Sequence, residues 1–196
     1  SAAVKYAEVD YDHDSSVDKC AAFYYDEGNS NHVTVAVGTV SGTSISFGTP
    51  VVANAASSSW TSGAFDPNTA GKCLISYRNN SGYGAVRVGT LSGTSMTFGS
   101  EVVYNSGSTQ FQTVEADPNN ADKYVVSYRD DGDSDKGKCI VATVSGTTPS
   151  FGTAVRFTDT TSDPNESLSF DPNNENKFIL GFNHANTTQA AFAIVG

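Results

Sequence analysis

The chain has 196 residues, with 21 acidic and 11 basic side chains and a formal net charge of −10 at pH 7. This acidic balance argues against nucleic acid and anionic membrane surfaces as partners, because both require a surface rich in lysine and arginine. No apolar run approaches the ~20 residues of a membrane span, so we also expect no membrane insertion.

The first distinctive element in chain order is an acidic loop between two predicted strands, residues 10–18. Carboxylates at loop positions 1, 3, 5 and 9 turn their oxygens toward one point. This arrangement suits Ca²⁺, which takes about 6–8 oxygen ligands. A second acidic stretch, residues 131–135, lacks a fourth carboxylate at the right offset. The sequence therefore predicts one calcium site, with a solvated acidic loop as the alternative; the predicted metal ligands are Asp10, Asp12, Asp14 and Asp18.

A sixteen-residue stretch then occurs three times and organises the chain. Its copies are VGTVSGTSISFGTPVV at 37–52, VGTLSGTSMTFGSEVV at 88–103 and VATVSGTTPSFGTAVR at 141–156. In each copy, Ser-Gly-Thr predicts a hairpin turn, because glycine adopts positive φ without a steric penalty. The spacing of about 50 residues between copies is typical of a repeat architecture.

The second, third and fourth units share a further set of turn and strand signals. Asp-Pro-Asn begins at Asp66, Asp117 and Asp171, and proline followed by asparagine favours a tight turn. Five residues after each proline, a lysine opens an apolar run. These runs are rich in Val, Ile, Tyr and Phe, which predicts β-strands. In the first unit, the acidic loop stands in place of Asp-Pro-Asn.

Four strands in each of four units predict an all-β fold, a four-bladed β-propeller built from four-stranded antiparallel blades. A β-solenoid or a β-sandwich is the alternative, although the strands of a sandwich need not repeat in sequence. We expect a single domain over residues 1–196, with units at about 1–52, 53–103, 104–157 and 158–196. The last unit ends before its outer strand, which either residues 2–6 or a partner chain would supply.

The two ends of the strands differ in how much they vary between units. Consecutive turns of a blade alternate between ends, so the Asp-Pro-Asn and Ser-Gly-Thr turns should share one end. The other end carries the loops after the second strands and the links at 53–60, 104–111 and 157–166, which differ freely. Function tends to lie on variable loops, and aromatics there stack on sugars or anchor protein contacts. The candidate ligand-binding residues at this end are Trp60, Phe111, Tyr104, Tyr83, Arg78 and Arg129.

Two pairs among these candidates have a structural alternative. Trp60 and Phe111 occupy matching positions, so they could instead fill gaps between blades, since large aromatics are mostly buried. Arg78 and Arg129 also match, and for them we expect pairing with an aspartate of a neighbouring blade. In these structural alternatives, the two aromatic and the two arginine side chains lie at contacts between neighbouring units.

The sequence gives no sign of a catalytic centre. Its three histidines lie in predicted loops at unmatched positions, without an accompanying nucleophile motif, so we expect no enzymatic activity. The three cysteines, Cys20, Cys73 and Cys139, lack the spacing of a zinc site. We expect buried free thiols, with one disulfide and one free thiol as the alternative.

Phenylalanine–glycine pairs recur at residues 47–48, 98–99 and 151–152. Together with the acidic loop, they resemble the FG-GAP repeats of integrin-α-type propellers, whose calcium hairpin has the pattern Asp-x-Asp-x-Asp-Gly-x-x-Asp. The resemblance implies that the four loop aspartates bind calcium, although Ser15 replaces the glycine and the other units lack this loop. The whole chain also resembles the repeats of about 50 residues in fibre, appendage and surface proteins of marine phages and microbes. That second resemblance implies an architecture more than an activity.

These observations favour a non-catalytic extracellular module for binding or adhesion. Its partner would be a glycan or a surface receptor, recognised through the variable end. The alternative is a structural building block of an extracellular fibre, sheath or virion appendage, with neighbouring subunits as partners. The start of the chain, Ser-Ala-Ala-Val, is typical of a processed mature end, so the lack of a signal peptide is not evidence for the cytosol. We expect the protein to be secreted, or to lie on a virion or a cell-surface appendage.

Overall fold

The computed structural model describes residues 3–13, 18–184 and 191–195. Within these ranges the fold is all-β and its strands pair antiparallel, as the sequence predicts. Helical structure in the described residues is limited to two 3₁₀ turns, Glu27–Asn29 and Asp131–Asp133. Neither turn has the length or apolar character needed to cross a membrane.

The described residues form sixteen strands, numbered β1 to β16 in chain order. They are β1 Val4–Tyr11, β2 Lys19–Asp26, β3 His32–Ser41, β4 Ser44–Phe47, β5 Val51–Asn54, β6 Ser59–Phe65, β7 Lys72–Arg78, β8 Tyr83–Ser92, β9 Ser95–Phe98, β10 Val102–Ala116, β11 Lys123–Asp130, β12 Lys136–Ser145, β13 Thr148–Phe151, β14 Val155–Phe170, β15 Phe178–His184 and β16 Ala191–Val195.

The first unit shows the plan of a repeat. Strands β1, β2 and β3 pair in sequence order, and both β4 and β5 pair with β3 along its other edge. The fourth strand of the unit is therefore interrupted at the Phe-Gly pair. A Cβ on Gly48 would lie 2.2 Å from the carbonyl oxygen of Thr94 in the next unit. Glycine is required there because the Ser-Gly-Thr turn of the following unit occupies the space.

Two long strands each belong to two units. The 102–108 part of β10 pairs with β8, and its 109–116 part pairs with β11. Strand β14 divides in the same way between β12 and β15. The links predicted as variable loops at 104–111 and 157–166 thus run inside strands. Register shifts between Gln110 and Thr113, and between Asp163 and Ser167, bend these strands from one unit into the next.

The hydrophobic core lies between consecutive units. Side chains alternate along each middle strand, so one set faces the preceding unit and the other faces the next. In β7, Cys73, Ile75 and Tyr77 belong to the cluster shared with unit 1. Leu74, on the opposite side of the same strand, belongs to the cluster shared with unit 3. Units 2 and 3 bury both faces, which explains why their middle strands are apolar almost without interruption.

Polar contacts join the same units at the Asp-Pro-Asn turns. The buried carboxylate of Asp66 accepts hydrogen bonds from its own turn, at Asn68 N (2.8 Å), and from Asp122 N in unit 3 (2.6 Å). Asp12 accepts in the same manner from Gly71 N in unit 2, at 2.9 Å. The Asp-Pro-Asn motif therefore forms a turn and also links two units.

The N-terminal segment belongs to the first unit. Val4 and Lys5 pair with Asp26 and Tyr25 of β2, so residues 4–6 do not supply the missing outer strand of the last unit. The three cysteines are free thiols, as expected; Cys73 is buried, while Cys20 and Cys139 are half-buried. Burial raises the pKa of the Cys73 thiol.

The first and last units each leave one face open among the described residues. Val9, Ile45 and Phe47 are exposed on unit 1, and Ile179 is exposed on unit 4. These residues would be covered if the two units packed against each other as consecutive units do. The described residues thus form an all-β array of four units without a closed ring.

Candidate functional site

The described loops after the second strands of units 1 and 2 lie with the links between units, at the end opposite the Asp-Pro-Asn turns. Thr109 N donates to Gly82 O (3.0 Å) and Ser58 N donates to Asn31 O (2.9 Å), which joins the links at 104–111 and 53–60 to loops of units 2 and 1. At the other end, Leu91 N donates to Gly71 O (2.7 Å), which joins a hairpin to an Asp-Pro-Asn turn. The predicted separation of constant turns from variable loops is confirmed.

Aromatic side chains from three units form a row at the loop end. The ring centroids of Tyr6 and Trp60 are 4.3 Å apart, and those of Trp60 and Phe111 are 4.1 Å apart. Tyr25 stacks on Tyr6 at one end, with centroids 5.7 Å apart. The Arg129 guanidinium lies 4.7 Å from the Phe111 centroid at the other end. We call Tyr25, Tyr6, Trp60 and Phe111 the aromatic row.

Three members of the row have a strained backbone. Tyr6, Trp60 and Phe111 have φ angles of 50°, 54° and 56°, in the left-handed region that bulky residues avoid. Each lies at a bulge where the register of the first strand shifts. Such strain costs on the order of 1–3 kcal/mol per residue, and it persists where the surrounding structure enforces it. Because the left-handed backbone recurs at the same position in three units, it is a feature of the repeat.

The buried Gln112 side chain supports one of these bulges. With its amide oriented so that donors meet acceptors, it donates to Trp60 O (3.0 Å) and accepts from Arg78 N (3.2 Å). This bridge holds the Trp60 backbone against the end of β7.

A polar cleft of about 390 Å³ opens beside the row, between units 1 and 2. Tyr25 and Arg78 lie on its two sides, with hydroxyls and amides between them from Ser59, Asn79 and Asn31. Arg78 donates to Gly82 O and Ser108 Oγ, and it forms no salt bridge within the described part of the chain. The cleft therefore offers one cation and several neutral hydrogen-bonding groups.

Arg129 pairs with a carboxylate of its own unit, which corrects the expectation of a partner in a neighbouring blade. Its Nε donates to Asp131 Oδ1 at 2.8 Å. Burial raises the pKa of Asp131, but hydrogen bonds from Ser108, Arg129 and Gln110 outweigh it and hold that pKa below its ordinary value. The arginine is thereby fixed above Phe111.

The second acidic stretch, residues 131–135, is neutralised by basic side chains. Lys138 Nζ lies 2.7 Å from Asp130 Oδ2 and 2.8 Å from Asp133 Oδ2, and Arg156 also binds Asp133. Hydrogen bonds from Arg156 and Lys138 lower the pKa of Asp133 to about 2. Asp130, Asp131 and Asp133 therefore all form ion pairs with basic side chains of the same unit.

The remaining candidates, Tyr104 and Tyr83, lie away from the row. The Tyr104 ring packs 5.1 Å from Tyr128 and 5.8 Å from Phe151, so it belongs to the core between units 2 and 3. Tyr83 is exposed at the start of β8, where its backbone N donates to Asn79 Oδ1. Tyr83 therefore contacts Asn79, which lines the cleft, but does not line the cleft itself, whereas Tyr104 packs in the core.

The predicted calcium ligands have other partners where the structure describes them. Asp10 accepts from Phe65 N (2.7 Å), Asp12 accepts from Gly71 N, and Asp18 accepts from the Tyr11 hydroxyl (3.2 Å). Asp14 lies outside the described residues. Within the described ranges, no group of three histidine, cysteine or acidic residues is arranged around one point. Calcium binding by this loop stays a prediction, and Asp10 and Asp12 have a structural role.

The first strands also bring together carboxylates that the sequence analysis did not single out. Glu8 Oε2 accepts from Gly63 N at 3.1 Å, beside the Asp10 contact. Burial raises the pKa of Glu115 in unit 3 to about 7, and the charges of Asp10 and Glu8 add to this effect. Carboxylates of units 1 and 3 are therefore near enough to interact. In the sequence, Glu8, Asp10 and Asp12 occur at every second position, and this alternation could have predicted that the three carboxylates lie on one face of a strand.

Tyr6 is the other functional candidate that the sequence analysis missed. In the sequence analysis, residues 2–6 were one of two alternatives for the outer strand of the last unit, so Tyr6 was not aligned with Trp60 and Phe111. Counting back six residues from Asp12, Asp66 and Asp117 gives Tyr6, Trp60 and Phe111, and this alignment would have found it.

Comparison with known proteins assigns no family to this arrangement. No protein-family model matches the chain. A search of curated proteins also gives no match. The aromatic row and the cleft are accordingly the basis for a functional assignment.

Proposed function

We propose that the chain is a non-catalytic, extracellular binding module that recognises glycans through the aromatic row and the adjoining cleft. The observation that carries this proposal is the row itself. Three units place an aromatic side chain at the same position, each on strained backbone, and the rings meet at the variable end. Strained backbone of this kind clusters at functional sites, which supports a binding role for these three aromatic side chains.

Sugar rings match the chemistry of this surface. Their C–H faces pack on aromatic rings, and their hydroxyls need donors and acceptors close by. Tyr25 connects the two parts of this surface, because its ring ends the aromatic row and also lines the cleft. The amides and hydroxyls of Asn31, Asn79 and Ser59 would bind sugar hydroxyls beside it. The proposal needs no catalytic group, in line with the unmatched histidines.

The units themselves we propose to be blades of a β-propeller. Their first strands carry Glu8, Asp10 and Glu115, whose charges interact although units 1 and 3 are not consecutive. This proximity is expected of strands that converge on a common axis. Calcium in the acidic loop remains a prediction. Closure of the ring by four blades of one chain is the alternative to a contact between two copies, because both would cover the open faces of units 1 and 4.

Replacement of Trp60 by alanine is expected to weaken glycan binding at least about tenfold, because it removes the centre of the row. Trp60 is the only tryptophan of the chain, so its fluorescence reports ligand stacking directly. A glycan array would supply the ligand, and titration calorimetry would measure the dissociation constants of the unmodified and Trp60→Ala proteins.

Trp60→Phe is the matched control, since it keeps a ring at the same position and should retain most of the affinity. Both variants need unchanged far-ultraviolet circular dichroism. If Trp60→Ala binds as tightly as the unmodified protein, or if ligand leaves the tryptophan emission unaltered, the row is not the binding site.

One observation favours the alternative function, a building block of a larger extracellular assembly. The open faces of units 1 and 4 are apolar, and apolar surface of this kind marks contact sites between proteins. Binding and assembly use different parts of the molecule, so they are compatible.

A further inference from the structure

The exposed side of unit 1 has the residues that other units use to contact the preceding unit. We call this surface the head face; it surrounds a groove of about 410 Å³. Its members come from β1, β2 and β4 and are Val9, Tyr11, Cys20, Ala22, Ile45 and Phe47.

The repeat shows what normally covers these positions. Ile45 matches Met96, since both are the second residue of the strand after Ser-Gly-Thr. Met96 is 2% exposed and packs in the cluster shared with unit 1, whereas Ile45 is 55% exposed. Val9 likewise matches Val114, which is buried in the cluster shared between units 2 and 3. The head face is thus a unit-to-unit interface with one side missing.

Unit 4 has the complementary side of the same interface, which we call the tail face. Ile179 lies two residues after Lys177, and it matches Ala21, Leu74 and Val125, which lie two residues after the equivalent lysines of the other units. Those three are 0%, 0% and 4% exposed and pack in the clusters shared with the following unit. Ile179 is 48% exposed.

The polar part of the interface is also present on both faces. On the tail face, Asp171 and Asn173 match Asp66 and Asn68, which contact the following unit through Asp122 N and Asp117 O. The counterparts of Asp122 and Asp117 on the head face are Asp18 and Asp12. Asp18 has the same left-handed backbone as Asp122, with φ angles of 45° and 63°. A tail face would therefore find both its apolar and its hydrogen-bonding partners.

We propose that the head face binds the tail face of a second copy of this chain, in a head-to-tail contact. We choose a second copy as the partner because the three interfaces inside the chain each join the equivalent of a tail face to the equivalent of a head face. Their residues occupy matching positions in the units. A contact of this type either closes a ring of copies or continues as a filament. The proposal is independent of glycan recognition, so Trp60→Ala should assemble normally.

Analytical ultracentrifugation of two charged variants tests the contact. Phe47→Asp destroys the head face and Ile179→Asp destroys the tail face, because each places a carboxylate in an apolar interface. The unmodified protein should associate at micromolar concentration, and each variant alone should be monomeric, with an association constant at least about tenfold lower. An equimolar mixture should form a dimer, since one variant keeps its tail and the other its head.

Val103→Asp is the matched control, because Val103 is 40% exposed on an internal unit and lies on neither face. It should associate as the unmodified protein does. An unmodified chain that stays monomeric at every concentration, as closure within one chain would give, overturns the proposal. Association of Ile179→Asp alone also overturns it, since that result shows a head-to-head contact. Circular dichroism checks that each variant is folded.

Discussion

Replacing Asp66 by alanine should lower the free energy of unfolding by about 2–5 kcal/mol. The Asp66 carboxylate is almost fully buried and accepts hydrogen bonds from Asn68 N and Asp122 N. Its removal leaves two backbone donors without this partner, and an unsatisfied buried donor costs about 1–3 kcal/mol. The loss should include the contact between units 2 and 3. Urea denaturation at pH 7, followed by circular dichroism, measures it.

Asp171→Ala is the matched control, because Asp171 begins the same motif in the last described unit. Its carboxylate accepts from Asn173 N (2.8 Å) and Asn174 Nδ2 (2.8 Å), both within its own turn. These donors lie on exposed residues, so water replaces the carboxylate and the expected loss is about 1 kcal/mol or less. Equal losses for the two variants would contradict the role of Asp66 in joining units. The control is measured below the concentration at which the chain associates.

Glu115→Gln should stabilise the protein at pH 8 by about 1–3 kcal/mol and leave its stability nearly unchanged at pH 4. Burial, with the charges of Asp10 and Glu8, raises the pKa of Glu115 to about 7, above its ordinary value of 4.5. Between these values the folded state holds a proton that the unfolded state releases, so stability falls as pH rises from about 4.5 to 7. Glutamine stays neutral, as the protonated acid does. Glu115 is half-buried, so solvent partly screens its charge, and the expected gain in the free energy of unfolding is therefore modest.

Urea unfolding of both proteins at pH 4, 6 and 8 measures this effect. Glu175→Gln is the control, because Glu175 is exposed in the turn before β15 and its replacement should change stability by less than about 0.5 kcal/mol at each pH. If the difference in stability between the unmodified protein and the Glu115→Gln variant is constant from pH 4 to pH 8, the pKa of Glu115 is not raised in the folded protein, which contradicts the prediction.

Local sequence was enough to predict the strands and their turns. Asp-Pro-Asn and Ser-Gly-Thr restrict the backbone by themselves, and alternating or continuous apolar residues between them favour strands in any context. The repeat then placed all constant turns at one end. For the same reason Trp60, Phe111 and Arg129 could be predicted at the other end, where the structure brings them together.

Only the tertiary structure decided which neighbour each strand and side chain meets. A period of two tells which residues share a face, but it does not identify the surface opposite that face. Tyr6 therefore joined the aromatic row through pairing of β1 with β2, and the Asp12 carboxylate bound Gly71 N of the next unit. The open faces at Ile45 and Ile179 have the same cause, because their sequences match buried positions and differ only in having no unit packed against them.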